Sequence, residues 1–405
     1  MKLSGPRYAA DPFPTFAAMR AVGPVLRTRL PLVGPVWTTA TRDAAEVVLK
    51  SDAFVLERRH VAGRSGGGVV GLKWWMPRFI RPLTRGLLGR DDPDHRRLRG
   101  MVDHAFRRRD VLAMRETVDA RARDMVAALP RECDLLTAFA RPFPLAVIAD
   151  LLGLREGTRP RFLALSAPLG DLSSPFGFLR VMRPLKRLVR LVEEEIAATR
   201  HDPRPGIVAE LVALDDELTA DELLAMVLTL LLAGYETTSH LIANSVATLE
   251  AHPDARDWWL ADPKARTERA VEELARFASP IHTVKPRYVA RDIDVLGTSL
   301  RAGEVVMPWL AAANADPAVF DAPDELRLDR FPNPHMVFST GTHFCLGLQL
   351  ARIEVRAALC AIYERRFEAA APVTWKAGLG KRELTALPVR FAQAAKGANS
   401  SASAS

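Results

Sequence analysis

Between Thr219 and Ala251 lies a segment that few architectures can house. Thr219-Ala-Asp-Glu222 has the form of a capping box, with a hydroxyl at the cap and a carboxylate at the third helical position. No breaker follows until His252-Pro253, so the pattern predicts one helix of roughly 30 residues, about 45 Å long at 1.5 Å per residue. Its first half is apolar on all sides, which requires burial all round. Other helices must therefore enclose it, in one large domain. The apolar stretch Leu223 to Ala233, broken only by Thr229, is shorter than the ~20 residues that span a bilayer.

The rest of the chain agrees. Helical periodicity recurs near Phe13–Ala21, Asp43–Lys50, His95–Ala105, Val111–Ala128, Leu145–Leu152, Leu185–Arg200 and Lys264–Phe277, and again after Cys345. Strand-like runs are short: Val25–Leu30, Val36–Thr39, Tyr288–Leu296, Val305–Val306 and Leu387–Phe391. The expectation is a single domain over residues 1–391, mainly α with a small β-rich portion. The polar, simple stretch 392–405 reads as a disordered tail. The 29 prolines punctuate the chain without leaving a long linker.

The formal charge of +8 permits an acidic partner, nucleic acid or a membrane surface and selects none of them. Cys133, Cys345 and Cys360, odd in number and far apart, make no disulfide framework, which suits a reducing, cytoplasmic setting. The N-terminus has no apolar run resembling a signal or anchor. Residues Ala62–Leu72 are glycine-rich but lack the Gly-Lys-Ser/Thr ending of a phosphate loop. With Trp74, Trp75, Met76 and Phe79 behind it, the Arg64–Leu87 segment reads as a cover over an apolar site, or as ordinary core.

Two places carry candidate chemistry. Mid-helix, Ala233-Gly-Tyr-Glu-Thr-Thr238 puts a glycine, an acid and two threonines where none favours a buried helix. Ala233 and Thr237 share a face with Gly234 beside them, which makes either a groove for a small molecule or a packing glycine with a back-bonded threonine. In the groove reading Thr237 offers its hydroxyl and Glu236 supplies protons from the other side. Near the C-terminus, Phe338-Ser-Thr-Gly-Thr-His-Phe-Cys-Leu-Gly347 places Cys345 between glycine turns at the mouth of a helix. Unpaired N–H groups and the dipole there favour a thiolate. With His343 close by, the loop suits iron of a haem bound through sulfur.

Charged residues complete the set. Glu273 and Arg276 can pair at i, i+3. His95 with Arg99, Arg287 and His343 are candidates to hold haem carboxylates, or plain surface charge. No His-Glu-x-x-His or paired Cys-x-x-Cys spacing supports zinc.

These motifs together resemble the cytochrome P-450 superfamily, specifically its soluble bacterial members. In order they are Asp92-Pro-Asp-His-Arg-Arg-Leu-Arg99, the 233–238 segment, Glu273-Leu-Ala-Arg276, the strand from Arg287 to Gly297, Ala313-Asn-Ala-Asp-Pro317 and the cysteine loop. The resemblance implies the P-450 fold, a long central helix over a buried haem b, with Cys345 as the iron ligand. It places Ala233, Gly234, Phe338 and Gly347 against the haem, and His95, Arg99, Arg287 and His343 on its propionates. Glu273, Arg276 and Arg330 become a structural ion-pair network, and Glu236 with Thr237 the acid–alcohol pair that delivers protons to O2. The family usually has glycine where this chain has Ser339.

The implied activity is insertion of one oxygen atom from O2 into an apolar small molecule, by hydroxylation or epoxidation. Electrons would come from an acidic ferredoxin or flavodoxin with its reductase, drawn to Arg96, Arg97 and Arg107–Arg109 or indifferent to them. Alternatives are a peroxide-driven peroxygenase, which would not need Glu236 and Thr237, and a non-catalytic haem-binding module, which would lack them. The expected protein is a cytoplasmic monomer with no nucleic-acid partner and no membrane anchor. Leu230, Ala233, Thr238, Ile281, Thr283 and Val284, with the Phe162–Leu179 stretch, are expected to shape the substrate pocket.

Overall fold

The structure is a computed structural model that describes residues 3–30, 34–62, 86–107, 111–167, 177–214 and 216–392. The tail beyond 392, most of the Arg64–Leu87 segment and residues 168–176 lie outside the described residues. The central helix runs from Ala220 to Ala251, 32 residues, and its N-terminus is closed by the capping box. The Thr219 hydroxyl accepts from the Glu222 N–H, while the Glu222 carboxylate accepts from the Thr219 N–H at 3.0 Å. Arg97, an exposed residue of the helix Asp94–Arg107, also pairs with Glu222.

Residues Leu223 to Leu228 are buried, as the all-round apolar pattern requires. Around them pack the helices Pro142–Leu152, Gly177–His201, Pro263–Phe277 and Leu348–Glu364, which share one hydrophobic core with the central helix. The central helix is the one described helix long and apolar enough to cross a membrane, and 67% of that stretch is buried within the protein. Its apolarity is spent on the core.

The β portion is small and peripheral. A five-stranded sheet has the order Val25–Leu30, Gly34–Thr39, Val305–Met307, Arg287–Val289, Phe54–Val55. All its pairs are antiparallel except Gly34–Thr39 with Val305–Met307. Glu132–Asp134, Pro388–Phe391 and Phe367–Ala369 form a three-stranded sheet. Thr374–Ala377 and Arg382–Ala386 form a hairpin. The backbone at its turn is bonded to the segment after the helix Pro263–Phe277: His282 N–H to the Gly380 carbonyl and Arg382 N–H to the Pro280 carbonyl, both at 2.9 Å.

Buried charge fixes the segment that leads into the cysteine loop. The Glu273 carboxylate accepts from Arg276 Nε and Nη2 at 2.8 and 2.7 Å and from Arg330 Nε at 3.2 Å. Arg327 N–H and Asn333 Nδ2 also donate to it. Arg276 in turn donates to the carbonyls of Asn314, Pro323 and Glu325. Residues 314–333 are thereby strapped to one carboxylate–guanidinium group whose donors and acceptors are filled.

Candidate active site

One face of the central helix forms a wall. Leu230, Ala233, Gly234, Thr237, Thr238 and Leu241 recur at helical spacing and line a cavity of about 340 Å3. Ala233 is exposed among buried and half-buried neighbours and lines this space. Opposite lie Phe338, Ser339, His343, Cys345 and Gly347 from the cysteine loop. Ile281, Val284, Leu87 and Leu88 complete an apolar surround.

Gly234 serves packing as much as the cavity. A Cβ there would sit 2.9 Å from Ile148 Cγ1, so the glycine is what lets the helix Pro142–Leu152 approach. Thr237 donates its hydroxyl back to the Ala233 carbonyl at 2.9 Å. Thr283 departs from expectation. It is not among the lining residues; its hydroxyl donates to the Pro308 carbonyl at 2.6 Å and its methyl packs at Gly380. Phe162 likewise belongs to the core, edge-on to Tyr235.

The cysteine loop is built on two left-handed residues. Gly341 has φ 74°, and a Cβ on it would strike the Leu49 carbonyl oxygen. Ser339 has φ 63°, which shows why glycine suits that position and what serine tolerates there. Its N–H still reaches the Met336 carbonyl at 2.9 Å, and the Cys345 N–H bonds the Phe338 carbonyl at 2.9 Å. Behind Phe338 stacks Arg352, held by two 2.7 Å bonds to Glu272.

The Cys345 thiol corrects one expectation. Burial pushes its pKa up, outweighing the Gly347 N–H and the Arg99 charge. The helix begins only at Leu348, so one backbone N–H rather than a full turn serves the sulfur. A bound metal's own charge reverses this balance, because a coordinated thiol is deprotonated outright.

Polar groups gather at one side of the cavity. The His95 and His343 rings lie against each other, tilted by 47°, with centroids 4.1 Å apart. Burial depresses both, His343 to about 3, with His95, Arg287, Lys285 and Arg99 adding to the push on His343. Both imidazoles are neutral at pH 7. Arg99 donates to Asp103 at 3.0 Å and to the Phe344 carbonyl at 2.8 Å. Arg287 is buried with one long bond to the Phe54 carbonyl, 3.4 Å, and burial lowers its pKa. His95 Nε2 and Arg287 Nε are buried with no hydrogen-bond partner among the described residues. Such orphan donors fit an anionic group. They, the thiol and the apolar surround match a haem with two propionates.

Sequence reasoning missed two groups. Lys285, two residues before Arg287, adds positive charge beside His343; its pKa is lowered by burial. Glu354 lines the cavity, fully buried, with both carboxyl oxygens unpartnered among the described residues and Thr238 as polar neighbour. Burial raises its pKa well above the usual range and so favours the neutral acid. The available signal was a carboxylate on the apolar face of Leu350, Ile353 and Val355.

Glu236 faces away from the cavity, on the other side of the central helix, where Lys381 Nζ donates to it at 3.1 Å. The cluster Glu57, His60 and Asp91 has metal-like spacing, but Arg59, Arg90 and the N–H groups of Leu56 and Glu57 already occupy its carboxylates.

Comparison with known proteins agrees with this arrangement. The family model for Cytochrome P450 matches residues 180–257 and 266–373. The chain is 33% identical to cytochrome P450 monooxygenase PikC of Streptomyces venezuelae, over 96% of this chain and 92% of that one. It is 34% identical to a vitamin D(3) 25-hydroxylase of Pseudonocardia autotrophica, over 90% and 88%. A myxobacterial cytochrome P450 crystallised with myristic acid superposes with a TM-score of 0.87, 33% identity and coverage of 97% and 99%. The chain belongs to the cytochrome P450 family, has its fold, and is a P450 monooxygenase of bacterial type; the family implies a haem and the use of O2.

Proposed function

We propose that this monooxygenase inserts one oxygen atom of O2 into an apolar small molecule, at a C–H bond or a double bond, using electrons from an acidic ferredoxin or flavodoxin and its reductase. The observation that carries the reading is a buried thiol, Cys345, facing the Ala233–Thr237 side of a continuous helix across an apolar cavity. The haem, when bound, supplies the oxygen chemistry itself.

The chain's residues do the rest. Cys345 would hold the iron of a heme b through its sulfur, with Ala233, Gly234, Phe338 and Gly347 lining the haem's place. His95, Arg99, Arg287 and His343 would hold its propionates. Leu230, Ala233, Thr238, Ile281 and Val284 exclude water and take apolar substrate. Thr237 presents a hydroxyl at the cavity wall, and Glu236 draws protons from the polar side of the same helix. Glu273, Arg276 and Arg330 fix the segment that carries the loop. The protein works as a cytoplasmic monomer. Apolar, lipid-like or polyketide-like substrates suit the surround, in keeping with the vitamin D(3), polyketide and methyl-branched lipid named among the relatives.

Reduced, carbon-monoxide-treated protein tests the assignment. Wild type should show the absorption band of thiolate ligation, and Cys345→Ser should lose it. A band unchanged in the variant refutes the ligand.

A further inference from the structure

A second, small cavity, of about 40 Å3, lies on the side of the central helix away from the cysteine loop. Its wall is mostly polar: Arg141, Tyr235, Glu236, His240, Lys376 and Glu383 line it with others, including Ala167 and Leu384. His240 Nδ1 is buried without a hydrogen-bond partner among the described residues, and the ring is neutral at pH 7, its pKa lowered to about 4 by burial. The Tyr235 hydroxyl donates to Ser166 at 2.6 Å.

Lys381 links this cavity to the other. Its ammonium lies 3.1 Å from both Glu236 and Glu383. Burial acts to lower its pKa, but the two carboxylates outweigh that and raise it, so it stays charged. Its backbone is fastened to the substrate side. Lys381 bridges Ile281, and the flanking Gly380 and Arg382 exchange hydrogen bonds with His282 and Pro280. Pro280 and Ile281 line the haem cavity.

We propose that Lys381 is a positioning residue for proton delivery: its side chain aims the Glu236 carboxylate, and its backbone ties that aim to the wall against which substrate packs. The inference rests on the monooxygenase reading above. Stability alone does not account for the pair. The Lys381 and Glu236 side chains retain 40% and 32% of their accessibility, and ion pairs so exposed add little to stability. The Lys381→Met variant should therefore fold. A lysine between two carboxylates at the edge of a polar cavity restrains Glu236 to one side, and without it the carboxylate is free to turn towards Arg141 or solvent.

The test needs no organic substrate, because dioxygen is its probe. Haem-loaded protein receives electrons from NADPH through a ferredoxin and its reductase. Oxygen then leaves as peroxide, taking two electrons and two protons, or as water, taking four of each. Peroxide released per O2 consumed reports how well protons reach the site. Lys381→Met should raise that share at least threefold, Lys381→Arg should restore it, and Thr237→Ala should raise it independently. Carbon-monoxide band and melting temperature should stay those of wild type in both Lys381 variants. A crystal structure of Lys381→Met should show the Glu236 carboxylate displaced. If Thr237→Ala raises the share and Lys381→Met does not, this inference is wrong and the monooxygenase reading stands. If neither does, or if wild type already releases all its oxygen as peroxide, the proton relay itself falls and this role of Lys381 with it.

Discussion

Replacing Gly341 by alanine tests whether the cysteine loop's geometry is set by backbone alone. The residue sits at φ 74°, where an L side chain costs about 1–2 kcal/mol. Alanine recovers about 0.4–1 kcal/mol by stiffening the unfolded chain, so conformation alone nearly cancels. The contact does not. An added methyl would lie under 3.0 Å from the Leu49 carbonyl oxygen, which belongs to the helix Arg42–Lys50 and cannot swing aside. The loop must retreat by roughly 1 Å to regain ordinary contact. Overpacking of this kind costs about 1–3 kcal/mol, and it acts four residues from Cys345, whose N–H is tied to Phe338. Net destabilisation of about 2–3 kcal/mol is expected, concentrated in the loop. Urea unfolding followed by the Soret band and by tryptophan fluorescence measures both parts. The haem probe should move to lower urea than the fluorescence probe, and the thiolate carbon-monoxide band should weaken. A variant with unchanged band and midpoints would show that the loop yields freely, and the geometric argument would fail.

Two further outcomes follow from buried carboxyls. Glu273→Gln should cost about 3–5 kcal/mol in urea unfolding, since Arg276 and Arg330 keep their charge in a buried place without a counter-charge; a loss below ~1 kcal/mol would show the network to be dispensable. Glu354 is held protonated in the fold, so its contribution is fully present below the unfolded carboxyl value of about 4.3 and fades by about 1.4 kcal/mol per pH unit above it, until the folded group ionises. Glu354→Gln lacks that slope, so its urea midpoint should gain on wild type from pH 5 to pH 7; parallel midpoints would mean that the carboxyl is hydrated.

The central helix was legible because two independent signals agree, an apolar run and a cap whose partners are three residues apart. Boundaries elsewhere came within a few residues where periodicity was strong, as at Phe13–Val22 and Pro263–Phe277. What stayed hidden was short or long-range. Strands such as Phe54–Val55 and Glu132–Asp134 exist only because a distant strand pairs with them, and two or three residues carry no period. Tyr288–Leu296 was read as one run, and the structure divides it between Arg287–Val289 and Ile293–Val295 around a bend at Arg291. Lys381 escaped because nothing local distinguishes a lysine in a hairpin turn, and Glu354 because its one local mark, an acid on the apolar face of a helix, does not say what that face meets. Only the fold brings them to the haem wall and to Glu236. The thiol's direction of shift failed for a related reason. The helix mouth was read from spacing, while the burial that outweighs it is a property of the whole cavity.

Glu236 and Glu354 show how the fold sorts ionisable groups by where charge is tolerable. Successive helical residues turn by about 100°, so Glu236 and Thr237 are neighbours in sequence yet look into different surroundings. On the cavity side an ionised carboxylate would face apolar side chains with no partner, which costs several kcal/mol. Glu354 occupies that side and responds as expected, by holding its proton. On the other side Lys381 and polar neighbours stabilise charge, and there stands Glu236. A single helix thus separates an ionisable carboxyl from an apolar cavity and leaves threonines, Thr237 among them, facing the latter. Moving the acid one position, by exchanging Glu236 and Thr237, would place a carboxyl on the dry side, where burial should neutralise it as it does Glu354. Such a swapped chain should fold and bind haem yet release its oxygen as peroxide. If it kept wild-type proton delivery instead, the two-sided design would not be what matters.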